Sequence, residues 1–408
     1  MKNKYHILQD LAFLTGPHAA GRLSGTIGAY KAANYLSAEL VAVGLRPVSG
    51  KNYYQTVNVP AARLFGAPKL VIGERSFTHR HDFSEIPTMA KSGSYIGRLL
   101  VVREDDQLLQ EGFAGRIVLI PQRPEKFDLN ATVNAAIEMG VTALLVEYGE
   151  PEWFYKTIFS RRSRIPVFRL RKSLSQEVAS MNGAVVELEM PLANDTLPCH
   201  NVLGLRPGTS DDFTLALTAH YDHVGDDPGG ARFPGALDNA SGVATILAAI
   251  RELTSEPLPF NILVAFLTGE ESGLWGAKHL LANQPLPISA VINLDGIGSE
   301  PALSAMRIGH SKHNDWLAEM AANVLEERGI TAQWIKGSDD SSAFISAGIP
   351  TVGLGQQPTR GRQSGMHMPS DTNDNLHIDT LLNGVQIILD IIKTLAKSEI
   401  QTKEKIHV

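Results

Sequence analysis

The chain has 408 residues, 43% hydrophobic and 20% charged, with 37 Lys and Arg against 43 Asp and Glu for a formal charge of −6. That length favours two domains or one large domain carrying an insertion, and the composition is that of a globular chain rather than a disordered one. A mildly negative chain is a poor partner for nucleic acid or an anionic membrane, and no segment approaches the roughly 20 apolar residues of a membrane span.

The N-terminal stretch MKNKYHILQDLAFLTGPHAAG carries Lys2 and Lys4, but polar residues interrupt every apolar run before it reaches signal-peptide length. Cys199 is the only cysteine, which excludes an internal disulfide and a thiolate metal cluster. The expectation is a cytoplasmic chain; one trimmed of a leader would read the same. Residues 26–43 place Ala32, Leu36, Leu40 and Val43 at helical spacing, with Gly44 as a stop and Pro47 beyond it. From residue 62 to 195 the texture changes to short β-like runs, IVLI at 117–120, ALLV at 143–146 and VVELEM at 185–190. The basic run RRSRIPVFRLRK at 161–172 reads as a solvated loop and strand of that region.

After Asn201 strands and helices alternate: LALTA, GVATILAAIREL, NILVAFL, AVINL, WLAEMAANVLEER, IPTVGLG and LLNGVQIILDIIKTLA. Such alternation implies an α/β fold, a mostly parallel mixed sheet sandwiched by helices. The division is residues 1–61 and 196–408 as one domain, with 62–195 as a smaller β-rich inserted domain.

Three of these strands end in metal-ligating residue types. LALTA runs into His220-Tyr221-Asp222, ILVAFLTG into Glu270-Glu271 and VINL into Asp295; PGALDNASG sets Asp238 before a helix starting near Ser241, and MHMPSDTNDN supplies His367. Open α/β sheets bind ligands beyond the carboxyl ends of their strands, so these side chains share one rim. So many carboxylates stay ionised together only beside cations. Imidazole with carboxylate and no thiolate suits zinc, cobalt or manganese rather than calcium. Two ions about 3.5–4 Å apart, with a bridging carboxylate and water, fit the ligand count better than one. One of Glu270 and Glu271 can then ligate metal while its neighbour acts as base. Taken singly each residue has a plainer role: Asp238 as a helix cap, Asp295-Gly296 as a turn. His223, His279, His310, His313 and His377 read as surface or packing histidines, and Trp275 and Phe233 as packing.

HYDHVG, GALDNASGVA, TGEESGLWGA, INLDGIG and HMPSDTNDNL resemble, in order and spacing, the motifs of the di-zinc aminopeptidases of metallopeptidase family twenty-eight. GRLSGTIGAYKAANYLSAELVAVGLRP and SDDSSAFISAGIP extend the likeness over residues 20–60 and 200–395, and FAGRIVLI, NAAIEMGVTALLVEYG and RIPVFRL resemble an inserted protease-associated domain. The resemblance implies a zinc-exopeptidase, phosphorylase/hydrolase-like fold with two zinc ions per chain, cobalt or manganese being substitutes. It implies that His220 and Asp295 hold one ion, Glu271 and His367 the other, and that Asp238 bridges them. Glu270 would be the general base, and Asp222 the carboxylate that receives the imidazole N–H of His220. The implied substrates are peptides with a free N-terminus. Carboxypeptidase or dipeptidase action, a single-zinc glutaminyl-cyclase-like transferase and a non-catalytic binding protein are the rivals. Met366 stands where relatives carry a Tyr before the last His, Asp340 where His or Tyr is frequent, and Gly337-Ser338 where an Arg-Ser pair occurs.

Overall fold

The computed structural model describes residues 2–86, 89, 91–103, 112–124, 126–158, 164–253, 257–284, 286–300, 305–308, 316–334, 338–356 and 365–406. His310, His313, Gly337 and residues 161–163 of the basic run lie outside them. The chain divides into two units, one of residues 1–59, 197–226 and 232–408, the other of 60–196 and 227–231.

The larger unit is built on a nine-stranded mixed sheet among the described residues. Its centre is four parallel strands in the order Asn261–Leu267, Thr214–His220, Ala290–Leu294 and Thr351–Gly355. All are buried along their whole length, as expected of parallel strands covered on both faces. Side chains sort by the two-residue period of a strand. Leu215, Leu217 and Ala219 join Ile262, Val264, Phe266, Ile292 and Val352 on one face, under Ile7 and Leu11 of helix Lys2–Leu14, Leu36 and Leu40 of Ile27–Ala42, Ile246 and Ile250 of Ser241–Glu252, and Leu381 and Ile388 of Ile378–Ile406. Ala216, Leu263, Ala265 and Val291 point the other way, toward Ala277 and Leu280 of Trp275–Ala282 and Phe344 of Ser341–Ser346. No helix among the described residues is long and apolar enough to cross a membrane.

Helix Ile27–Ala42 begins where the sequence signals it. Thr26 Oγ1 accepts the N–H of Ala29 at 3.4 Å, and Gly44 at φ 77° turns the chain out.

The smaller unit holds, among the described residues, an eight-stranded sheet whose strands Gly93–Val101, Ile117–Ile120, Ala143–Glu147 and Val167–Leu170 run parallel. Its two faces carry separate cores, Ile117, Leu119, Leu145 and Phe168 on one and Val118, Ile120, Leu144 and Val146 on the other. Helix Leu129–Glu138 covers the second, capped by Asp128, whose carboxylate accepts the N–H groups of Asn130 and Ala131. The basic run is not simply solvated: Arg169 is buried and donates to Ser84 Oγ and to the carbonyls of Glu85 and Tyr155. Beside it lies a buried charge cluster. Arg80, with no exposure, donates to Glu85 Oε1 and Asp227 Oδ2, both at 2.6 Å, while Lys156 Nζ reaches Asp227 Oδ1 at 2.8 Å and His79 Nε2 reaches Glu85 Oε2 at 2.8 Å. Buried charges persist only when paired in this way.

Candidate metal centre

Because the central strands are parallel, their carboxyl ends open on one rim. His220 is the last residue of Thr214–His220, Asp295 follows Ala290–Leu294, and Glu270-Glu271 follow Asn261–Leu267 after the turn Thr268-Gly269. The turn needs its glycine, which sits at φ 71° where a Cβ would lie 2.9 Å from the methyls of Val59. Asp238 lies in the irregular turn Ala236–Ala240 before helix Ser241–Glu252. It does not cap that helix. Asn239 Oδ1 accepts the N–H of Gly242 at 3.1 Å, which leaves the Asp238 carboxylate to the rim. His367 arrives from the 365–371 segment in the left-handed region at φ 59°.

These side chains form two groups that share Asp238. In one, His220 Nε2 is 3.3 Å from Asp238 Oδ1 and 3.7 Å from Asp295 Oδ1. In the other, His367 Nε2 is 3.1 Å from Asp238 Oδ2 and 2.8 Å from Glu271 Oε2, and His223 Nδ1 is 2.8 Å from Glu271 Oε1. His223, read from the sequence as a surface or packing residue, has no solvent exposure, and its Nδ1 also lies 3.8 Å from Asp238 Oδ2. Its only sequence signal is its place three residues after His220 on the same strand end.

Asp222 stands elsewhere than the resemblance implies. His220 Nδ1 is 3.2 Å from the Asp222 carbonyl and 3.8 Å from its carboxylate, which instead accepts the Glu270 N–H and the Ser24 hydroxyl, both at 3.2 Å. Asp222 therefore acts on the backbone of Glu270. Two further residues hold the site loops, and sequence reasoning gave neither a role. Arg22, fully buried, donates to the carbonyls of Tyr221 at 2.6 Å, Leu14 at 2.5 Å, Pro234 at 2.7 Å and Gly235 at 2.8 Å. Asp371 accepts the N–H of Leu237 at 2.7 Å and of Asp238 at 3.2 Å. Asp340 is buried, and among the described residues both of its carboxylate oxygens lack a hydrogen-bond partner.

The electrostatics show what the cluster demands. Burial pushes Asp222 up to about 6 against the pull of His220, and raises Glu270 and Asp340 well above the ordinary carboxylate range. Burial and Asp238 also raise Glu271, yet His367 and His223 outweigh them and hold it at about 2. Burial opposes charge on His367, but Glu271 and Asp238 push it up to about 12. The carboxylates thus recruit any positive charge within reach. His220 Nε2 nonetheless makes no hydrogen bond of acceptable geometry, although two carboxylates approach it. An imidazole nitrogen and carboxylate oxygens converging at these distances fit a divalent cation, and the nitrogen and oxygen donors are those of zinc.

Fold and rim together define an α/β domain with two groups of candidate metal ligands at its parallel strand ends. Residues 201–392 match the family model of Peptidase family M28. A zinc aminopeptidase of Bacillus subtilis has the same fold, with a TM-score of 0.73 and 18% identity over 96% of this chain and 95% of that one. A glutaminyl cyclase of Porphyromonas gingivalis is more distant, with a TM-score of 0.50 and 12% identity over 96% and 97% of the two chains. Leucine aminopeptidase 1 of Arthroderma otae is 24% identical over 218 residues, 48% of this chain. That match spans 58% of the relative's length.

Proposed function

We propose that the protein is a zinc-dependent aminopeptidase that holds two zinc ions and removes N-terminal residues from peptides. The observation that carries this reading is the pair of donor groups joined through Asp238 at the parallel strand ends. His220 and Asp295 would hold one ion, Glu271 and His367 the other, with Asp238 common to both. Zinc, when bound, polarises a carbonyl and makes water a better nucleophile at neutral pH. Glu270 takes the proton of the attacking water on its carboxylate and hands it to the leaving amine. Asp222 orients that base through its backbone N–H. Carboxylates of the rim hold the free α-amine of the substrate. The 62–195 insertion is in this reading a protease-associated domain.

The test pairs two adjacent residues. Glu270→Gln should retain zinc and lose activity on amino-acid arylamides by at least the ~10²–10⁴-fold contributed by a general base, whereas Glu271→Ala should lose zinc itself. Full turnover by Glu270→Gln would remove the base assignment. Metal analysis that found one tightly held zinc, with pyroglutamate formed from an N-terminal Gln peptide, would select the cyclase reading that the Porphyromonas gingivalis likeness keeps open.

A further inference from the structure

His223 is fully buried on the rim, and the zinc assignment above gives it no task. Its surroundings fix the ring closely. Gly235, at φ 62°, passes so near that a Cβ there would stand 2.6 Å from Cγ and Cδ2 of the imidazole, and the ring of His367 meets it edge-on at 5.5 Å with planes 74° apart. One ring nitrogen, Nε2, is buried and has no hydrogen-bond partner among the described residues; the other, Nδ1, lies 2.8 Å from Glu271 Oε1. An ionised carboxylate only accepts, so the proton of this bond belongs to Nδ1.

The two oxygens of Glu271 are therefore divided. Oε1 is taken by His223, and Oε2 faces His367 Nε2 at 2.8 Å on the side of Asp238. We propose that His223 is a positioning residue, its Nδ1–H holding Glu271 Oε1 so that Oε2 is the oxygen offered to the ion of the Glu271–His367 group. The inference rests on the zinc reading and extends it: the carboxylate is presented one-sidedly, and its orientation is set before the ion arrives. Groups that orient metal ligands in this manner are commonly worth about 10 to 100-fold in affinity or activity.

The test uses the full chain and two substitutions. Asn places its amide nitrogen near the position of Nδ1, so His223→Asn keeps a donor while removing the imidazole as a strong zinc ligand. His223→Phe keeps the ring's bulk beside Gly235 and removes the donor. Zinc retention is followed by chelator competition, with circular dichroism of the zinc-free chains to separate loss of fold from loss of affinity. The expected result is that His223→Phe weakens one of two zinc sites by about 10 to 100-fold, with His223→Asn close to the parent chain. Equal retention by His223→Phe and the parent overturns the proposal, and so does a His223→Asn variant as weak as His223→Phe, which would make the imidazole a ligand. A parent chain that retains no zinc sinks the zinc reading instead. Should His223→Phe fail to fold, nitrogen-15 spectra of the imidazoles decide: a His223 ring protonated at Nδ1 and bare at Nε2 in the zinc-free chain supports the proposal, and the opposite tautomer removes it.

Discussion

Arg22 shows how much a single side chain does here without touching any reacting atom. Its guanidinium distributes donors among four carbonyls from residues 14, 221, 234 and 235, which braces the loop after His220 and the turn that carries Asp238. Burial lowers it to about 10, while Asp371 and Asp238 sustain its charge. Lysine keeps that charge but offers donors from one point rather than a planar fork. Arg22→Lys should therefore leave buried carbonyls unpaired, at a cost of about 1–3 kcal/mol each, and lower both the melting temperature and the zinc affinity. An unchanged melting curve would show that the carbonyls find other donors. Neither Arg22 nor Asp371 was legible as a site residue. The motif GRLSGT contains the arginine in plain view, yet its partners lie up to 213 positions away and become neighbours only in the fold. His220, Glu271 and Asp295 were legible because each stands at or after the end of its own strand, a local signal that the sheet converts into proximity. His223 lies three residues beyond His220, a position that a surface or packing histidine can equally hold, and its burial beside Glu271 arises only in the fold.

Among the elements, regular period outperformed composition. The four central strands and helix Ile27–Ala42 lie where alternation and capping place them, since their burial is decided by which residues face the sheet's two layers. Helix Leu129–Glu138 escaped a reading based on short β runs because its start rests on one capping carboxylate, Asp128, between strands of stronger pattern. The buried charges of the smaller unit were hidden for a similar reason: Arg80, Glu85, Lys156 and Asp227 are scattered surface-type residues until tertiary packing pairs them. They have a consequence for acid stability. Burial opposes ionisation of Glu85, yet Arg80 and His79 hold its carboxyl well below the ordinary range, and Asp227 is likewise depressed beside Arg80 and Lys156. A carboxyl with a depressed folded-state pKa contributes stability that is complete above its unfolded value, about 4.3 for Glu and 3.9 for Asp. That contribution falls away as pH drops below those values. Thermal melting of the parent chain should lose stability on descending from pH 5 to about 3, and Glu85→Gln should flatten that slope while lowering stability near neutrality. An unaltered slope would mean that the acid response arises elsewhere.

At the level of the whole molecule, the sheet's direction matters more than any one ligand. Parallel strands joined through helices bring residues 220, 270, 271 and 295 to a common edge, and the long return of the chain adds residue 367. A fold shared by a zinc aminopeptidase and a glutaminyl cyclase does not choose between their reactions; the donor set on the rim has to do that. Fold class was legible from alternation alone, whereas the pairing of the acids with particular histidines depended on distances no spacing encodes. The lone thiol of the chain has a practical bearing on measuring any of this. Cys199 is buried beside Val57 and Val59, and burial pushes it up to about 12. Such a thiol is chemically silent in the native protein, so Ellman's reagent should find no reactive group until denaturant releases one equivalent. A cysteine installed at an exposed position such as Lys278 would then be the sole attachment point for a fluorophore or spin label, and the protein could carry a reporter on helix Trp275–Ala282 without first being stripped of background.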